Sequence, residues 1–347
     1  MSKASNAVLA LSRAFYGKRL TDKDYDNLIA CKTLNEFAQY LRTRTDYAKQ
    51  IDESGTTEFT SKGLEQLVGK HSIENFASIC RYELAIGSEF YRYFIVRDEI
   101  DQILNCTLYM LGNSRENYLM RMNPFLDKHL DIDLFALAKA QTLEDISKSL
   151  EKTPYKKIYD RCLSSDTVNY LTFEKAFEAY FESVVKKLVK KCFSGREDDE
   201  LYKIICRSLD CKFIEKIYRT IKYYPDDISL RSFSSPAFVT MTLFSEKDLA
   251  DFANCKTQKE FLNRLSKTPY KGWVSDDSSQ SLEYQLEKQL YLLCRKQIRF
   301  SSYPSVVMFC YLLLTQNETS NLVRIIEGIK YNVPAQVIKS NIIIQAE

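Results

Sequence analysis

Glycine is scarce in this chain of 347 residues. It has 9 glycines, where average usage of roughly 7% would give about 24, and only 7 prolines. That poverty disfavours phosphate-cradling loops and sheets joined by many tight turns. It suits long helices, whose interiors exclude both residues. No Gly-x-Gly occurs, so the dinucleotide-binding fingerprint is absent. Histidine is limited to His71 and His129. Neither has a partner pattern that marks a general base, and a surface or capping imidazole is the expectation for both. A strong charge of one sign is also missing. Lys and Arg total 49 against 46 Asp and Glu, a net +3, which implies no nucleic-acid partner. The longest strongly apolar run, "VVMFCYLLL" (306–314), is far shorter than the ~20 residues of a membrane span. The opening "MSKASNAVLALSRAF" reads as an amphipathic helix, with no signal peptide evident. Ten cysteines without regular spacing read as reduced, packed thiols in a cytosolic protein. Cys206 and Cys211 lack a nearby His and a second pair, so a zinc site is not expected.

The pentamer "KTPYK", by contrast, is written twice, at 152–156 and 267–271. Its flanks extend the likeness: "AQTLEDISKSLEKTPYKKIY" (140–159) matches "CKTQKEFLNRLSKTPYKGWV" (255–274). A third relative is "CKTLNEFAQYLRTRTDYAKQI" (31–51). Each reads as a short helix with an N-cap at Thr33, Thr142 or Thr257. Glu36, Asp145 and Glu260 follow three residues later, as capping-box acids in two copies and a shorter acid in the third. Apolar residues recur at helical spacing: Leu34, Phe37 and Leu41; Leu143, Ile146 and Leu150; Phe261 and Leu265. Thr153-Pro154 and Thr268-Pro269 are expected to stop the helix, because the residue before proline is pushed out of helical geometry. Tyr47, Tyr155 and Tyr270 then anchor the turn. In the first copy Asp46 replaces the proline, and one extra residue lies between Leu41 and Tyr47.

Long helical patterns follow each copy, at about 60–111, 167–222 and 279–343. Leu322, Ile325, Ile326 and Ile329 form one stripe, matched by Ile214, Ile217, Tyr218 and Ile221, with Tyr223 opposite Tyr331. The string "DEIDQILNCTLYMLGN" (98–113) is the loose counterpart in the first copy, and its register is not fixed by the letters. The expected fold is all-α, in three repeat units at 1–125, 126–235 and 236–347. Turn signals at "MNPFLD" (122–127) and "PDDISLRSFSSP" (225–236) mark the boundaries. Three similar bundles would arrange about a pseudo-threefold axis around a central concavity.

Catalytic constellations do not emerge. "GLEQLVGKHS" (63–72) fails as a phosphate loop, because its glycines are mis-spaced and His71 follows Lys70 where Ser or Thr is needed. The acids of "GREDDELYK" (195–203) most simply begin a helix. No catalytic, cofactor-binding or metal-binding residue is assigned. One surface candidate is the basic helix face of Lys186, Lys187, Lys190 and Lys191. It is either a solvated face or a docking site for an acidic protein or lipid headgroups. Most of the 23 Tyr and 20 Phe are expected in the core, and aromatics are also favoured in extended protein interfaces.

These residues together resemble a family. The opening "NAVLALSRAF…KRLTDKDYDNLIACKTLNEFAQYL" (6–41), the Thr-Pro-Tyr helix ends and the closing "NLVRIIEGIKYNVPAQVI" (321–338) are similar to the C subunit of V-type (A/V-type) ATPases. The eukaryotic counterpart is the d subunit of the vacuolar ATPase. The resemblance spans essentially the whole chain. It implies a non-catalytic central-stalk component without cofactor, a funnel-like socket that passes torque from shaft to membrane. The implied partners are the membrane proteolipid rotor ring and the central shaft subunits. The implied location is cytoplasmic, attached to the membrane through the complex. The competing expectation is a cytosolic helical-repeat scaffold or adaptor. Units of about 110 residues exceed the roughly 20–50 of solenoid repeats, which argues against it.

Overall fold

A computed structural model describes residues 3–85, 90–114, 116, 118, 122, 124–165, 167–192, 196–224, 241–275 and 280–344. Every regular element among them is helical. The first part runs α1 (Lys3–Gly17), α2 (Asp22–Ala30), α3 (Leu34–Arg44), α4 (Ala48–Glu53), α5 (Ser61–Ala85) and α6 (Arg92–Leu111). A 3-10 turn, η1 (Pro124–His129), leads to α7 (Leu134–Lys139), α8 (Leu143–Ser149) and α9 (Lys156–Leu163). Two long helices follow, α10 (Tyr170–Cys192) and α11 (Arg196–Tyr223). The last part holds α12 (Glu246–Ala253), α13 (Gln258–Leu265), α14 (Leu282–Phe300), α15 (Pro304–Lys330) and α16 (Ala335–Ser340). The chain divides into two compact units, Met1–Val184 with Thr315–Glu347, and Val185–Leu314. The turn expected at 225–236 lies outside the described residues.

Short helices form three clusters, α2–α4, α7–α9 and α12–α13, each opened by a capped helix. Thr21 and Ser245 make complete capping boxes with Asp24 and Asp248, and Asp133 caps α7 through Ala136 N. The second helix of each cluster is capped by Thr33, Thr142 or Thr257, which accept from Glu36 N, Asp145 N and Glu260 N at 3.1–3.2 Å. The returning acids differ from a strict capping box. Glu36, Asp145 and Glu260 accept from Lys32 N, Gln141 N and Lys256 N, one residue before the cap. A further backbone amide is thereby satisfied at each helix start.

The helix ends also depart from the proline expectation. α8 stops at Ser149 and α13 at Leu265, each several residues ahead of its proline. What closes each end is a threonine. Thr153 Oγ1 donates to Leu150 O at 2.7 Å and accepts from Tyr155 N at 3.3 Å. Thr268 does the same between Leu265 O and Tyr270 N, at 2.7 and 3.2 Å. Thr45 bridges Leu41 O and Tyr47 N, at 2.6 and 3.3 Å. The shared unit is therefore Thr-x-Tyr, and x can be Pro or Asp because the bridge makes no use of its N–H. The extra residue of the first copy is absorbed by a longer α3, so Thr45 reaches back four residues instead of three.

Behind these turns lies the core. Phe37, Leu41, Ile146, Leu150, Phe261 and Leu265 are buried on the inner stripes, while Leu34 and Leu143 stay half-buried. In the first compact unit, Leu322, Ile325, Ile326 and Ile329 of α15 pack with Leu28, Phe37, Leu41 and Leu64. In the second, Ile214, Ile217 and Ile221 of α11 pack with Phe252, Phe261, Leu265 and Leu286. Burying each such side chain stabilises by about 1.5–3 kcal/mol, the source of these short helices' stability.

Candidate functional site

The three tyrosines that end the Thr-x-Tyr turns are almost fully buried, at 2%, 1% and 1% exposure for Tyr47, Tyr155 and Tyr270. A buried phenol needs a partner, and each finds a carboxylate on a long helix. Tyr47 Oη donates to Glu318 Oε1 of α15 at 2.8 Å. Tyr155 Oη donates to Glu99 Oε2 of α6. Tyr270 Oη donates to Asp210 Oδ2 of α11 at 2.5 Å. Each acid also accepts a backbone N–H from the segment that enters the same cluster's first helix. The donors are Leu20 N to Glu318 at 3.0 Å, Asp131 N to Glu99, and Leu243 N to Asp210 at 3.0 Å. Thr242 Oγ1 adds a third donor to Asp210 at 2.5 Å. One carboxylate thus ties together a turn, a helix entry and a long helix, three times over.

The acids sit at one register. Glu99, Asp210 and Glu318 each stand four residues before the first stripe residue, Ile103, Ile214 and Leu322. That alignment fixes the first copy's downstream helix, which the letters left open. Among the described residues, hydroxyl and amide donors rather than ion pairs hold the carboxylates in place. Burial pushes Asp210 up to about 6 against its three hydrogen bonds, and pushes Glu99 and Glu318 upward as well. The same burial, and then the facing acid, raise the hydroxyls of Tyr155 and Tyr270. Both phenols stay protonated at neutral pH and act as donors.

His71 is buried inside α5, not the surface or capping imidazole expected. Its ring lies 4.1 Å from that of Tyr47, with Gln50 Oε1 3.2 Å from Nδ1 and Asn75 Nδ2 3.0 Å from Nε2. An Nδ1–H tautomer satisfies both contacts, and burial holds the imidazolium below its ordinary range. His71 is thus a neutral packing partner of the first node. His129 is exposed at the end of η1. On α10, Lys187, Lys190 and Lys191 are exposed on one face, opposite the buried stripe of Val185, Leu188 and Val189. Lys186 is half-buried, so the exposed basic face holds three of the four expected lysines.

A cleft of about 250 Å³ lies between the end of α11 and the start of α14, lined by Tyr218, Arg219, Lys222, Leu262 and Leu282. It falls below the roughly 300–1,000 Å³ of ordinary ligand pockets, and its Arg219 is engaged by Glu283 at 3.0 Å. Among the described residues no cluster of His, Cys, Asp and Glu could hold a metal ion. No helix among them is long and apolar enough to cross a membrane. No disulfide links the nine cysteines whose side chains are described, Cys192 being the tenth.

The dominant feature is therefore structural, a repeated latch. Residues 8–341 match the family model described as the ATP synthase (C/AC39) subunit. The chain belongs to that family. It is 26% identical over 190 residues to the C subunit of the A-type ATP synthase of Thermococcus kodakarensis, covering 54% of this chain and 48% of the relative. It is 26% identical over 215 residues to that of Methanosphaera stadtmanae, covering 60% and 52%. A third, from Methanocaldococcus jannaschii, is 23% identical over 289 residues, covering 82% and 69%. The chain spans about half the length of the first two relatives.

The tyrosines were legible in the sequence, whereas their carboxylates were not. A signal was present in the aligned strings "DCKFIEKI" and "ETSNLVRII", each opening with an acid four residues before its stripe. An acid at a helix position otherwise reads as solvent-facing, and only the packed tyrosine reveals Asp210 as buried and Glu318 as half-buried.

Proposed function

We propose that this chain is the non-catalytic coupling component of an A/V-type ATP synthase. In this reading it is a socket between the rotating central shaft and the membrane proteolipid ring. Three helical units, divided near 125 and 235, would surround a central concavity that receives the shaft. The chain would be attached to the membrane through the complex, with no spanning segment of its own. The observation that carries the reading is the family match across residues 8–341. The threefold Tyr–carboxylate latch supports it physically. Torque transmission asks for a body that resists deformation, and buried hydrogen bonds inside close-packed helices supply that resistance. The competing scaffold reading has no comparable support.

The test is reconstitution. Purified chain is mixed with detergent-solubilised proteolipid ring and, separately, with the shaft subunits, and complexes are read by size-exclusion chromatography. Stoichiometric co-elution with both is expected. Failure to bind either one overturns the proposal.

A further inference from the structure

The latches do not join the elements that the sequence repeat groups together. The α7–α9 cluster is tied through Tyr155 to Glu99, on a helix that precedes it and belongs to the first repeat. The α12–α13 cluster is tied through Tyr270 to Asp210, on a helix of the second. The α2–α4 cluster has no preceding long helix with such an acid, and its carboxylate, Glu318, comes from the far end of the chain. We infer that the cooperative modules are circularly permuted relative to the sequence repeat. Each consists of one short-helix cluster and the long helix that latches it, and the first is a clasp made from both ends of the chain.

Several contacts independent of the latch hold the clasp together. Leu322, Ile325, Ile326, Ile329, Ile338 and Ile342 enter the same core as α2, α3 and α4. Lys339 Nζ meets Asp26 Oδ1 at 2.6 Å, a pair exposed enough to add little by itself. Buried Asn321 pins the chain after α16, with Nδ2 donating to Ile343 O at 2.7 Å and Ile343 N donating to Oδ1 at 3.0 Å. A side chain that accepts from and donates to one residue in this way fixes the C-terminal segment on α15, so 316–344 behaves as one piece. The consequence is conformational. A disturbance within the last thirty or so residues is felt in the first fifty, and the first module is incomplete until residue 318 has been made.

Hydrogen–deuterium exchange on the full-length chain tests this, with peptides from 20–53, 92–111, 131–163, 243–273 and 316–344. In the unmodified protein, 20–53 and 316–344 are expected to exchange with a common opening rate. Tyr47→Phe should accelerate these two together by about tenfold, the factor that loss of one hydrogen bond of ordinary strength gives. Segment 92–111 should stay unchanged. Tyr155→Phe should instead accelerate 92–111 and 131–163 and leave 316–344 alone. Acceleration of 20–53 with 92–111 in Tyr47→Phe, with 316–344 unmoved, overturns the inference and restores the sequence repeat as the cooperative unit. Uniform acceleration of all five segments overturns it too. If either variant fails to fold, the unmodified chain decides: equal opening rates for 20–53 and 316–344 that differ from the rate of 92–111 support the inference, while unequal rates for the two, or one rate shared by all five segments, reject it.

Discussion

Removing the Tyr270 hydroxyl isolates one latch. Its Oη lies 2.5 Å from Asp210 Oδ2, and Asp210 is fully buried. A hydrogen bond to an ionised group contributes about 1.5–3 kcal/mol, so Tyr270→Phe should cost about that much. It should not cost more, because Leu243 N and Thr242 Oγ1 still satisfy the carboxylate. Asp210→Ala should be harsher, about 3–5 kcal/mol, since it orphans a buried phenol and an amide and opens a cavity. The double variant should recover a coupling of about 1.5–3 kcal/mol. Trp273, the only tryptophan, has its ring 5.2 Å from that of Tyr270, so its fluorescence during urea unfolding reads this module locally. The coupling should also depend on pH. Burial raises Asp210 to about 6, above the ordinary 3.8. The folded state therefore holds the proton more tightly, and this group's contribution to stability falls as pH rises from about 4 to 6 and is level above that. Relative to Asp210→Asn, the native chain should lose about 2 kcal/mol between pH 4 and pH 7. A coupling energy below about 0.5 kcal/mol at pH 8, or no difference in pH slope from Asp210→Asn, would refute the reasoning.

Leu150→Ala and Leu265→Ala should each cost about 2–5 kcal/mol, because both side chains are buried in filled cores; near-neutral denaturation midpoints at both would show that the stripes are not core. Thr257→Ala should cost about 1 kcal/mol by removing the acceptor for Glu260 N, while Thr257→Ser should restore most of it in thermal melts. At Gly328 an added Cβ would lie 2.5 Å from Ile338 Cδ1 and 2.8 Å from Cγ1, so both atoms must move. Gly328→Ala should therefore loosen α16, at about 1–3 kcal/mol, against the gain in helix propensity; a more stable variant would contradict that packing.

Composition by itself determined the class. A chain poor in glycine and proline, with apolar stripes at helical spacing, has few options besides packed helices. Local chemistry was equally legible: Thr33, Thr142 and Thr257 cap their helices because a hydroxyl one residue before a helix has its amide partners within a single turn. The prolines misled, since the shared turn is carried by Thr45, Thr153 and Thr268, and a proline is conspicuous in a sequence where a threonine is not. Burial of His71 and half-burial of Lys186 depended on neighbours supplied by other helices, which no local window contains. The same holds for the latches. Tyr47 and Glu318 are far apart in the chain, and only packing places an acid of α15 over a turn after α3. Short-range hydrogen bonds and periodicity are written in neighbouring residues. Which carboxylate a buried phenol meets is set by how whole helices dock, through apolar contacts that carry no pairwise address.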